Sequence, residues 1–338
     1  MTLDPLVVIL IEALVKSIVV IVVLLTGFAY LTLMERYVIA HIQSRVGPNR
    51  VGRVAGIATL QPIADAIKMI FKEDFIPAHA DKLVYTIAPG IAVGTALLAW
   101  AVIPLSPPII LFGNIITLQI ADVNVAVLYL LAIGSLGVYG IVLGGWGANN
   151  KYSLLGALRS TAQMVSYEIS LGLALVGVLM VSGTLNLTQI VQQQSSVWNV
   201  LWQPLAFVIY VICALAEINR LPFDLPEAET ELVAGYQTEY SSLKFALFYM
   251  AEYINMITVS AIASTMFLGD YQAPFGIFPG VHWLILKMMA FIFFFMWIRG
   301  TLPRFRYDQL MSFGWKVLLP LSLANVFVTA VVLVLIGK

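Results

Sequence analysis

Residues 7–33 read VVILIEALVKSIVVIVVLLTGFAYLTL, an apolar run that contains two charged residues, Glu12 and Lys16. An α-helix needs about 20 such residues to cross the roughly 30 Å hydrocarbon core of a bilayer. The run is too long for the core of a signal peptide, and no small-residue cleavage site follows it. We therefore expect residues 7–33 to remain in the protein as a transmembrane helix.

The rest of the chain repeats this pattern. Of the 338 residues, 61% are apolar and 11% are charged, whereas about a quarter are charged in an ordinary soluble protein. The sequence therefore predicts an all-α, polytopic membrane protein, with residues 1–338 in a single transmembrane domain. About eight transmembrane helices are expected, near 7–33, 83–104, 122–143, 160–181, 200–217, 241–267, 282–301 and 316–336.

Lysine and arginine predict the orientation of these helices. The connections near 105–121, 182–199 and 268–281 contain neither residue, and the opposite side collects fifteen of the eighteen. Cytoplasmic segments carry the excess of positive charge in membrane proteins. Both chain termini should therefore lie on the outer side, and the cytoplasmic face should be the working face.

A short amphipathic helix is predicted in the first cytoplasmic segment, over residues 59–73. Its charged face carries Asp65, Lys68 and Lys72. At helical spacing the charged and the apolar side chains lie on different faces, which is typical of a helix at the membrane surface. Two roles remain open, an interfacial brace and the lining of a ligand entrance. The apolar face consists of Leu60, Ile63, Ile67 and Ile70.

Carboxylates beside long apolar helices are the strongest indication of function. Three of them stand inside or at the ends of predicted helices, where facing lipid costs about 2.5–3.5 kcal/mol each. Such groups must face protein or water. These three are Glu35, Glu168 and Glu252. An acidic cytoplasmic loop, residues 217–240, adds Glu217, Asp224, Glu227, Glu229 and Glu231.

Closely spaced carboxylates in a poorly solvated site cannot all ionise, so protons can be shared among them. This is the chemistry of a proton path. Each carboxylate taken alone is equally consistent with a pairing that fixes helix packing. Binding of a divalent cation is a weaker alternative, because the ordered spacing of a calcium loop is missing.

Other site classes find little support. Cys213 is the only cysteine, so the chain has no internal disulfide and cannot hold an iron–sulfur cluster by itself. Three scattered histidines lack metal-ligand spacing, and no phosphate-binding glycine motif is present. A net charge of zero gives no field that attracts nucleic acid. The basic run from Arg45 to Gly52 supplies planar donors suited to carboxylates or to the oxygens of a ligand head group.

Taken together, these segments resemble the quinone-chamber membrane subunits, the H subunits, of the proton-pumping NADH:quinone oxidoreductases, respiratory complex I. The resemblance covers nearly the whole chain. The segments that carry it are Glu35-Arg36, Arg45-Val46-Gly47-Pro48-Asn49-Arg50, Leu60 to Lys68, Phe71-Lys72-Glu73, Asn149 to Leu158, Ser166-Tyr167-Glu168 and Ala216 to Ser241.

The resemblance implies a protein of the cell inner (plasma) membrane that forms much of a quinone chamber and couples quinone reduction to proton translocation. It implies no complete catalytic site on this chain. Partners would be the hydrophilic quinone-module subunits, including the one with the terminal iron–sulfur cluster, small membrane subunits, antiporter-like subunits and lipid, with FMN and all clusters on the partners. The chamber and entrance residues would be Arg36, Arg45, Asp65 and Lys68. The coupling residues would be Glu35, Glu168, Glu217, Asp224, Glu227, Glu229, Glu231 and Glu252.

Three alternatives stay open from the residues. A related membrane-bound hydrogenase or ferredoxin-linked complex would use a similar anchor protein. An independent ion transporter would be expected to show an inverted repeat, and none is evident. A purely structural anchor would need the acidic loop for assembly and not for activity.

Overall fold

Long helices make up most of the molecule. The computed structural model describes residues 5–54, 57–111, 114–225, 229–273 and 278–337, with side chains described throughout these ranges except at 5, 6, 8, 53, 54, 109–111, 114–116, 229 and 230. The helices are α1 Pro5–Ile42, α2 Gln61–Phe71, α3 Lys82–Leu98, α4 Ala126–Gly147, α5 Lys151–Ser182, α6 Leu187–Gln193, α7 Asn199–Trp202, α8 Pro204–Glu217, α9 Glu229–Leu232, α10 Ser242–Phe267, α11 Val281–Thr301, α12 Tyr307–Phe313 and α13 Leu319–Ile336.

Strands within the described ranges form two small antiparallel hairpins. One pairs β1, Arg53–Val54, with β2, Ile57–Ala58. The other pairs β3, Ile109–Leu111, with β4, Asn114–Ile116. Both lie in connections between long helices, so they do not change the all-α class.

Seven of the described helices are long and apolar enough to cross a membrane, and α8 is a shorter apolar helix. This confirms the predicted all-α polytopic class. The predicted fifth helix, 200–217, is wrong as one continuous element, because the chain breaks at Gln203 between α7 and α8. Pro204 has no N–H and is favoured in the first turn of a helix, so a new helix begins there. The 14 residues of α8 span about 21 Å.

Two other predicted boundaries are corrected. Helix α1 continues to Ile42, so Glu35 lies within it and not at its end. Helix α5 begins at Lys151 and not near 160, because the side chain of Asn150 caps it by accepting from the backbone N–H of Tyr152 at 2.9 Å. Glu168 therefore lies about 26 Å from the start of its helix. This is about twice its distance from a helix start near residue 160.

The interior consists of α3, α4, α5, α8 and α10. Helix α3 packs along α4 and α10, while α5 packs on α4 and α8. Small residues allow close approach, as where Gly140 of α4 faces the backbone of Ala92 on α3. The N-terminal half of α1 and the outer face of α13 are largely exposed apolar surface, as expected for surfaces that face lipid.

Helix α2 forms inside the segment predicted for a surface helix. It packs against α1 and α10, and Pro62 in its first turn is buried. The side chains of Ile63, Ile67 and Ile70 are each more than half exposed. A position at the membrane surface remains a prediction that these exposed apolar side chains support.

A buried polar cluster attaches the C-terminal helix to the bundle. Gln203 donates to the hydroxyl of Thr329 at 2.8 Å and accepts from the amide of Asn325 at 2.9 Å. Gly177 of α5 faces both amides, and a side chain there would meet Asn325 Nδ2 at 2.9 Å. Side-chain hydrogen bonds between helices in an apolar environment fix which helix faces meet.

This cluster predicts the stability of the C-terminal helix. Asn325→Leu removes the donor to Gln203, so we expect the free energy of unfolding in detergent to fall by about 1 kcal/mol. Phe327→Leu on the same helix is the control, because Phe327 is 70% exposed. Equal unfolding midpoints for the two variants would contradict a stabilising role for the cluster.

Candidate functional site

A cavity of about 550 Å³ lies between the C-terminal half of α1, helix α2, the N-terminal half of α10 and the C-terminal end of α11. We call it the entrance cavity. Apolar and aromatic side chains make up most of its wall, including Phe28, Met69 and Phe245. Its charged lining residues are Glu35, Arg36, Arg45, Asp65 and Arg299.

Three of the four predicted entrance residues therefore line one cavity. Arg36 of α1 pairs with Asp65 of α2 at 2.7 Å, which links the two helices across the cavity wall. Arg45 contacts Gln43 at 2.7 Å. Lys68 is exposed on α2 and does not line the described cavity. Its predicted role at the entrance has no support from this geometry.

Glu35 stands on the wall of the entrance cavity and is 4% exposed. It forms ion pairs with two arginines, Arg220 and Arg299. Arg299 comes from α11, while Arg220 comes from the loop after α8. Carboxylate–guanidinium contacts are strong because both partners are charged.

Arg220 makes a second ion pair, through Nε, with Glu252 of α10. Its guanidinium also lies over the ring of Tyr253 at 4.3 Å from the centroid. Burial alone disfavours the charge, but Glu252 and Glu35 outweigh it and raise the pKa of Arg220 well above its ordinary value. With Arg299, the group contains two cations and two carboxylates. We call Glu35, Arg220, Glu252 and Arg299 the buried charge cluster.

A second cavity, of about 100 Å³, lies deeper between α3, α4, α5, α8 and α10. We call it the inner cavity. Glu168, Glu217 and Glu252 all line it, together with polar side chains such as Asn255 and Thr258. Ser135 of α4 donates to a carboxylate oxygen of Glu168. A cavity of this size has room for several water molecules.

The buried charge cluster joins the two cavities. Glu35 belongs to the wall of the entrance cavity, Glu252 to the wall of the inner cavity, and Arg220 binds both. Four predicted coupling residues are thereby found on the walls of the two cavities. Glu35 lines the entrance cavity, while Glu252, Glu217 and Glu168 line the inner cavity.

The remaining predicted acidic residues lie elsewhere. Asp224 pairs with Arg304 at 2.8 Å, and burial raises the pKa of its carboxyl group although Arg304 opposes the shift. Glu231 is exposed and pairs with Arg159 at 2.6 Å. Glu227 lies outside the described residues, and so does the side chain of Glu229.

Sequence reasoning misses the cationic partners as site residues. It assigns Arg220 and Arg299 to the positive charge that sets membrane orientation, yet both bind buried carboxylates. One signal is available for Arg299. It lies inside the apolar run 282–301, where an arginine requires a partner of opposite charge.

Comparison with known proteins identifies the family. Residues 15–330 match the family described as NADH dehydrogenase. The NADH-quinone oxidoreductase H subunit of Thermomicrobium roseum is 56% identical over 320 residues, 92% of each chain. The H subunit numbered 1 in Geobacter metallireducens is 52% identical over 313 residues, covering 93% of this chain and 94% of the relative.

The H subunit of Protochlamydia amoebophila is 53% identical over 305 residues, covering 90% of this chain and 92% of the relative. The names of these relatives favour the resemblance to the quinone-reducing complexes over the hydrogenase alternative. Because the family match extends over most of the sequence, the chain belongs to the NADH dehydrogenase family.

Proposed function

We propose that this chain is the membrane component of an NADH-quinone oxidoreductase that forms much of the quinone chamber and couples quinone reduction to proton translocation. Relatives that are more than half identical are named as the H subunit of NADH-quinone oxidoreductase. The observation that carries the coupling role is Arg220, which binds one carboxylate from each of the two cavities.

The entrance cavity is the proposed quinone site on this chain. Its volume of about 550 Å³ lies within the range of small-molecule sites, which are mostly apolar with a few oriented polar groups. Its apolar wall suits an isoprenoid tail. Arg36, Arg45 and Asp65 supply charged groups at the mouth of the cavity and for the quinone head group. Lys68 is proposed to lie near the mouth, as the resemblance implies.

Electrons must reach the quinone from outside this chain. Its single cysteine, Cys213, is buried in α8, and one thiol cannot hold a cluster. Iron–sulfur clusters and FMN therefore belong to partner subunits in this proposal. The hydrophilic module, the small membrane subunits and the antiporter-like subunits are the proposed protein partners, with lipid around the bundle.

Quinone reduction takes up electrons and an equal number of protons, so the groups near the head group that supply the protons become more negative and the charge beside Glu35 changes. Arg220 is shared between Glu35 and Glu252, and a stronger bond to one carboxylate weakens its bond to the other. The change then reaches the inner cavity through Glu252, which shares the cavity wall with Glu217 and Glu168, the carboxylates proposed for the next steps of proton transfer. Asp224, Glu229 and Glu231 are proposed to act at the cytoplasmic end of this path.

A change at Glu217 tests the coupling role. In the complete reconstituted complex, Glu217→Gln should lower both NADH:quinone activity and proton pumping about tenfold or more, because the proposed path loses a proton carrier. Glu12→Gln is the matched control, since that carboxylate is exposed on α1, pairs with Lys16 at 2.6 Å and lines neither cavity. Assembly is compared in parallel.

Full activity and pumping in assembled Glu217→Gln would contradict the proton role and make the carboxylates scaffold. If less complex assembles but the assembled complex has full specific activity, the result would favour the purely structural anchor.

A change at Asp65 tests the entrance. Asp65→Asn weakens its ion pair with Arg36, and such partly exposed pairs contribute about 0.2–1 kcal/mol. We therefore expect the KM for quinone to rise about threefold with little change in kcat. Lys72→Gln neutralises a nearby exposed charge as the control. An unchanged KM in Asp65→Asn would place quinone entry elsewhere.

A further inference from the structure

Gln163 of α5 holds both ends of the turn that carries Arg220. Its side chain is fully buried, at 0% exposure. The amide Nε2 donates to the carbonyl of Ala216 and to the carbonyl of Phe223, each at 2.8 Å. Ala216 lies four residues before Arg220 and Phe223 lies three residues after it. One side chain therefore spans the whole turn.

The turn contains a backbone conformation that few residue types adopt. Asn219 has a φ of 52°, the left-handed region that asparagine tolerates better than most residues. The N–H of Phe223 bonds to the carbonyl of Arg220 at 2.8 Å. These bonds direct the Arg220 side chain towards α1 and α10, where Glu35 and Glu252 lie.

A second contact supports the turn from the segment after α11. The ring of Phe305 stacks on that of Phe223, with centroids 5.6 Å apart and planes 17° from parallel. The N–H of Phe305 also donates to the carbonyl of Pro222 at 3.2 Å. The turn is thus held by Gln163 on one side and by Phe305 on the other.

We propose that Gln163, supported by Phe305, is a positioning residue that keeps Arg220 between the carboxylates of the two cavities. Gln163 makes no described contact with those carboxylates and lines neither cavity, so it acts through Arg220. This inference rests on the proposed coupling function and adds to it.

The first experiment uses Gln163→Met in the complete reconstituted complex. Methionine keeps the size of the side chain but cannot donate to either carbonyl. We expect kcat for quinone reduction and the pumping rate to fall about tenfold, with the KM for quinone within about twofold, because Gln163 is not part of the wall of the entrance cavity. An unchanged kcat, or a rise in KM alone, would overturn the inference.

Gln194→Met is the matched control. Gln194 is also buried, at 1% exposure, and its amide donates to the carbonyl of Thr265 at 2.8 Å. The variant loses an equivalent hydrogen bond from a side-chain amide, in the connection after α6, and Gln194 lines neither cavity. Equal loss of kcat in both variants would show a general effect of removing a buried amide, and that result also counts against positioning.

A double-mutant cycle separates positioning from independent action. If Gln163 acts only through Arg220, adding Gln163→Met to Arg220→Gln should change kcat less than about twofold. Multiplying effects would overturn the inference. If either of these variants fails to assemble, two variants of Phe305 provide the test. Phe305→Ala should reproduce the loss of kcat. Phe305→Tyr keeps the ring stacking and should not lose kcat.

The same variants distinguish this inference from the proposed function. Full activity and pumping in assembled Arg220→Gln would refute coupling through Arg220, and the positioning role with it. Loss of activity in Arg220→Gln together with full activity in both Gln163→Met and Phe305→Ala would refute only the positioning role.

Discussion

Arg220 makes the interaction on which the rest of the site depends. Its guanidinium is 4% exposed and binds carboxylates from α1 and α10, while Arg299 of α11 balances the second negative charge. A buried charge left without its partner costs about 3–5 kcal/mol. The three helices and the loop after α8 must therefore meet in one arrangement, and that arrangement places the two cavities side by side.

The loop after α8 shows how the fold supports this contact. Helix α8 ends at Glu217, within a turn of Arg220, so one short segment supplies a carboxylate to the inner cavity and the cation between the cavities. Helix α5 contributes Glu168 to the inner cavity and Gln163 to the turn. A small movement of α5 or of the loop would therefore alter both parts together.

Much of the site could be predicted from where carboxylates interrupt apolar runs. Glu35, Glu168, Glu217 and Glu252 come together in the structure because lipid excludes them and protein must surround them. The same rule could not separate Glu231, which pairs at the surface, since a loop between helices has both buried and solvated sides. The resemblance places Lys68 at the entrance, yet its side chain is not part of the cavity wall.

The membrane class follows from the chain alone, because runs of about 20 apolar residues have no other stable environment. The chain also shows which carboxylates must be enclosed. Their partners depend on the packing of the helices. Arg220 is separated from Glu35 by 185 positions and Arg299 by 264, and nothing local in the sequence relates residues so far apart. The cost of an unpaired buried charge requires a partner, but helix packing selects which arginine it is.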